Sequence, residues 1–80
     1  MNETPITMKH NRYPNGYLPK IAYHIAQENH SKVDYFLNQQ TRRYGELTIL
    51  DMTFILNAIV DMGAEDAARR WVSYMKKQQA

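Results

Sequence analysis

The sequence predicts an all-α fold, a small four-helix bundle of two αα-hairpins with an extended N-terminal arm. Three observations predict it. Apolar side chains recur at helical spacing in four separate segments, and capping residues, glycines and a proline sit at the edges of those segments. Strand-like alternation is confined to Ile6 and Met8, in a stretch that prolines interrupt.

Residues 1–17 are expected to form the arm, because Pro5, Pro14 and the Pro14-Asn15-Gly16 turn signal break any helical pattern; Ile6 and Met8 allow a short strand there. Residues 18–80 are expected to be a single helical domain, since a chain of 80 residues is too short to divide its core. Pro19 suits a first helical turn, where its missing N–H costs nothing. From there Leu18, Ile21, Ala22, Ile25 and Ala26 form one stripe, with Lys20, His24 and Gln27 on the outer face, and the first helix is expected over 19–28. Ser31 with Asp34 reads as an N-cap pair and Gly45 as a left-handed stop, which places a second helix over 32–44. Its inward stripe is Val33, Phe36, Leu37, Gln40 and Tyr44; Tyr35, Asn38, Gln39 and Arg42 point away.

Thr48 and Asp51 repeat the capping logic, Leu47 and Met52 are spaced as a hydrophobic staple, and Gly63 ends a third helix over 49–62. Its polar side chains beyond the first turn, Thr53, Asn57 and Asp61, lie four residues apart on one line. The rest is so apolar that burial on several sides is expected, with this helix at the centre of the bundle. Glu65 and Asp66 then favour a helix start and Lys76 and Lys77 a helix end, giving a fourth helix over 65–78. Ala64, Ala67, Ala68, Trp71, Val72 and Met75 form its inward stripe, the alanines allowing close approach to the third helix. Segment 47–77, an apolar helix, a glycine turn and an Ala-rich return helix ending in Met-Lys-Lys, resembles a single helical hairpin of the tetratricopeptide or pentatricopeptide kind. The resemblance covers under half of the chain and implies only a helical hairpin. Arrays of that kind need at least about three units, and residues 19–45 do not repeat the pattern, so no membership follows.

Hydrophobic content of 44% and charged content of 22% are those of a chain that folds. The absence of cysteine removes disulfide and thiolate chemistry. The first residues lack a basic start followed by an apolar run, and no stretch reaches about 18 apolar residues, so neither a signal peptide nor a membrane span is expected and the cytoplasm is the expected location. The net charge of +2 is modest but uneven. Residues 47–66 carry Asp51, Asp61, Glu65 and Asp66 without a Lys or Arg, and residues 67–80 carry Arg69, Arg70, Lys76 and Lys77 without an acid.

Catalytic material is thin. Ser31 and Ser73 are the only serines, and neither has a base and an orienting group at recognisable spacing. His24 and Glu28 share a helical face near His30, but these groups do not close a zinc site. Asp51, Glu65 and Asp66 are explained at helix starts; Asp61 sits in a last turn, where the dipole disfavours it, and is expected to seek a cation from another helix. Gly16, Gly45 and Gly63 are isolated and form no phosphate loop. No enzyme, metal or cofactor is therefore expected.

Two binding readings remain. A helix-turn-helix over Ile55 to Val72 fits poorly, because the position four before Gly63 is the bulky Ile59, the position six after it is Arg69, and two acids open the second helix. A looser nucleic-acid contact would use Lys9, Arg12, Arg69, Arg70, Lys76 and Lys77, the mark of a small transcriptional regulator. The favoured expectation is a protein partner. Tyr13, Tyr17, Tyr23, Tyr35, Arg42 and Arg43 cluster in sequence, and Tyr and Arg combine contact area with hydrogen bonding at interface hot spots. The expected function is that of a small regulatory or inhibitory protein, in the style of phage-borne or mobile-element proteins. A homodimer is a further expected form, raised by the apolar third helix.

Overall fold

The computed structural model describes residues 16–79. Four helices follow one another: α1 (Leu18–Ala26), α2 (His30–Tyr44), α3 (Ile49–Asp61) and α4 (Glu65–Gln79). The all-α bundle is as expected. The expected arm, apart from Gly16 and Tyr17, lies outside the described residues, as does the strand expected at Ile6 and Met8.

Local chemistry sets each boundary. Tyr17 precedes α1 with Pro19 in its first turn, and the Tyr17 backbone N–H donates to the buried Gln40 Oε1 at 2.8 Å. Gly16 is required by this contact: a Cβ at its position would stand 2.4 Å from the Tyr44 ring and 2.8 Å from Gln40 Oε1. The first helix ends two residues earlier than expected. Glu28 adopts φ +60°, and the N–H of Asn29 reaches the His24 carbonyl at 2.9 Å while that of Glu28 reaches Ile25 at 3.0 Å. This is the crossed pair of a Schellman stop, made without glycine.

The cap of α2 is Asn29 and not Ser31. Asn29 Oδ1 accepts from the Lys32 N–H at 3.4 Å, and the Ser31 hydroxyl donates to the same oxygen, so Ser31 lies inside the first turn. A tight turn leaves Asn29 the first residue able to present an acceptor to the open N–H groups. By contrast, α3 starts as expected. Thr48 Oγ1 accepts from the Asp51 N–H at 3.1 Å, Asp51 Oδ2 accepts from the Thr48 N–H at 3.0 Å, and Asp51 is buried. Leu47 and Met52 line a common cavity, in keeping with the staple. At the far end Gly63, φ +79°, makes the second Schellman stop, with its N–H on the Val60 carbonyl and that of Ala64 on Ile59.

Packing departs from the expectation at the centre. The helix with a principal packing against each of the others is the short α1, which packs on α2, α3 and α4 and buries Leu18, Ile21 and Ala22 completely. Opposite them α3 turns in Met52, Ile55 and Ile59, and α4 turns in Ala67, Ala68 and Trp71. Each fully buried Leu or Ile of this cluster contributes about 1.5–3 kcal/mol. The expected enclosure of α3 does not occur. Ile49, Leu50, Phe54 and Val60 remain exposed, Leu50 at 78%. The principal packings of α3 are with α1 and α4, and two neighbours on adjacent sides leave the rest of a helix's circumference uncovered.

Candidate partner-binding groove

Since α2 and α4 both pack on α1 but are not joined to each other by a principal packing, a trough opens between them. Its floor is Ile25 of α1 with Ala67 and Trp71 of α4; Val33 and Leu37 form the α2 wall, Tyr74 the α4 wall, and His30 and Arg70 close one end. This part encloses about 240 Å³. Leu37 and Tyr74 also line an adjoining hollow of about 110 Å³, which runs on past Thr41, Leu47 and Met52 to Glu46 and Gln78. From His30 to Thr41 the trough follows roughly 16 Å of helix at 1.5 Å per residue, about three turns.

The trough is held in shape by specific contacts. The Trp71 indole N–H donates to the Met52 carbonyl at 2.9 Å, and its ring stacks on Tyr74 at 4.8 Å between centroids. A buried indole with its N–H satisfied is fixed in both position and orientation. At the charged end Arg70 pairs with Glu28, the residue whose left-handed backbone closes α1. Both partners are more than half exposed, so the pair orients the rim more than it stabilises the fold. A second, wide and polar hollow lies beside the start of α4, lined by Glu28, Glu65 and Asp66 among others.

The expected partner-binding residues lie around the corner from this trough. Tyr23 and Tyr35 are half exposed, with edge contacts to His24 at 5.1 Å and Phe36 at 5.0 Å. Tyr17 is partly buried, its ring 5.9 Å from Phe36 and 6.4 Å from Tyr44. Tyr17 and Tyr35 thus flank Phe36, which lies one residue and about 100° of helix away from Leu37, and Tyr23 is linked to it through His24. Arg42 and Arg43 are exposed in the last turn of α2, where they complement its dipole. Tyr13 lies outside the described residues. His24, expected on the outer face, is partly buried and stacks on Phe36 at 5.6 Å with its ring plane tilted by 10°, and its Nδ1 is buried with no hydrogen-bond partner among the described residues. The packing of α2 on α1 brings Phe36 onto the imidazole.

Of the basic residues considered for nucleic acid, Arg69 pairs with Asp66 at 3.2 Å and Arg70 with Glu28, while Lys76 and Lys77 are exposed. Lys9 and Arg12 lie outside the described residues. Among the described residues no three His, Asp or Glu side chains converge as metal ligands would, and no helix is long and apolar enough to cross a membrane.

Sequence reasoning missed the trough. Periodicity assigns Ile25, Val33, Leu37 and Trp71 to inward faces without saying how far a neighbour covers them: Trp71 is buried in the core, as that reading expects, while Ile25, Val33 and Leu37 are only partly covered. The signal that was present is the width of the apolar stripe on α2, Val33 to Tyr44 with Leu37 at its edge. No family model matches the sequence, and no curated protein or solved structure matches it.

Proposed function

We propose that the protein works without catalysis, as a small regulatory or inhibitory protein that seats an amphipathic helical segment of a partner protein in the trough between α2 and α4. The observation that carries this reading is the trough's apolar lining by Ile25, Val33, Leu37, Trp71 and Tyr74, continued by Leu47 and Met52 in the adjoining hollow, where Asn38, Thr41, Glu46 and Gln78 supply polar edges. Side chains spaced at i, i+4 and i+7 on a partner helix match such a slot, which is how helix-in-groove recognition obtains its affinity. Tyr23, Tyr35, Arg42 and Arg43 extend the contact on the adjoining face of α2 and α1.

The test is capture of the partner from host lysate, its identification, and binding of its helical segments as synthetic peptides to the wild-type chain and to variants. Val33→Arg, at a partly exposed site on the groove wall, is expected to weaken peptide binding at least about tenfold, as the loss of a buried anchor does. Tyr35→Ala and Arg42→Ala are expected to weaken it less. Binding that none of the three alters would refute the proposed surface. A second reading, a nucleic-acid-binding regulator, is favoured by one observation: Lys76 and Lys77 stand exposed on α4 with no acid paired to them among the described residues. It calls for binding to mixed DNA that falls steeply as salt rises.

A further inference from the structure

The uncovered face of α3 is a different surface from the trough. We infer that its occupant is a second copy of this chain, whose α3 lies antiparallel across it. Two observations on α3 itself point to that partner and that direction.

The first is self-complementarity. With a two-fold axis level with Ile55, Leu50 of one chain faces Val60 of the second copy and Thr53 faces Asn57. Apolar thus meets apolar and polar meets polar at these two levels, as a two-fold interface requires. Ile49, Leu50, Phe54 and Val60 are 49%, 78%, 36% and 54% exposed, and Thr53, Asn57 and Asp61 are exposed beside them.

The second is charge. Asp61 stands in the last turn of α3, beside the negative end of the helix dipole, with no basic residue in that turn and no ion partner among the described residues. An antiparallel neighbour brings its own first turn, the positive end of its dipole, next to Asp61 at the level of Ile49. A parallel neighbour would instead place the two Asp61 carboxylates together.

Sedimentation equilibrium from micromolar to about 1 mM chain is expected to show a mass rising from one chain to two and stopping there. Leu50→Lys removes an anchor from each side and is expected to raise the dissociation constant at least about tenfold, with Trp71 fluorescence unchanged as proof of folding. The chain has no cysteine, so single variants report direction. When Thr53→Cys and Asn57→Cys chains are mixed and oxidised, the mixed disulfide should predominate over either homodisulfide. A single-chain mass at the highest concentration, growth beyond two chains, indifference to Leu50→Lys, or a preference for homodisulfides would each overturn the proposal. Val33→Arg should leave the pair intact, so this test stands or falls apart from that of the groove.

Discussion

Gln40→Leu tests how the N-terminal end of the bundle is held. Gln40 is buried, and its Oε1 accepts the Tyr17 backbone N–H at 2.8 Å, closing the start of α1 onto α2. Leucine keeps most of the volume and helix propensity but leaves that N–H without its acceptor, in a site that Gly16 and Tyr44 close off. The desolvation cost of a buried unsatisfied N–H is about 1–3 kcal/mol, against a smaller gain from burying extra apolar surface, so a net loss of about 1–2 kcal/mol is expected. In urea, with a slope of about 1 kcal/mol/M for so small a domain, the midpoint should fall by roughly 1–2 M. The thermal midpoint should fall by about 4–16 °C. Trp71, the sole tryptophan and buried, supplies the fluorescence signal for unfolding, and it is distant in sequence from the mutated contact. A variant as stable as the wild type, or more so, would mean that the Tyr17 N–H is satisfied otherwise and that this hydrogen bond does not anchor α1.

Other substitutions probe separate links. Thr48→Ala removes one half of the capping box of α3 and should cost about 1 kcal/mol by denaturant melt, whereas Thr48→Ser should be nearly neutral. Gly63→Ala meets no atom within 4 Å, so its cost of about 1–2 kcal/mol should come wholly from φ +79°; an unchanged midpoint would show that the turn relaxes. Arg70→Gln breaks an exposed ion pair with Glu28 and should change stability by less than about 1 kcal/mol at low salt and less still at high salt. Trp71→Phe forfeits the indole hydrogen bond to the Met52 carbonyl and should cost more than any of these surface changes, measured by circular dichroism because the fluorophore is gone.

The contrast between α2 and α3 shows where sequence reasoning reached its limit at the helix starts. Thr48-x-x-Asp51 forms a box whose two hydrogen bonds join residues three apart, so no other part of the chain can alter it. Ser31 had an equal claim on composition, yet Asn29 takes the cap because the left-handed turn at Glu28 already ends α1 there. That turn uses a glutamate where glycine is the usual signal, and nothing in the local sequence marks it. The candidate groove is harder still to read, since its walls belong to helices that are far apart in sequence and are spaced by what lies beneath them.

The sequence by itself determined that the chain is helical, how many helices the described residues form, where most of them stop, and the inward stripe of α4 and most of that of α1. These depend on contacts within four residues and on the 3.6-residue repeat, both local to a segment. Tertiary structure alone decided that α1 and not α3 is the hub, that α2 and α4 stand apart over Ile25 and Trp71, and that Leu50 and Val60 face outward. An apolar side chain carries a demand for cover, but which neighbour meets it depends on how four short cylinders share a limited surface, and that is a property of the whole packing.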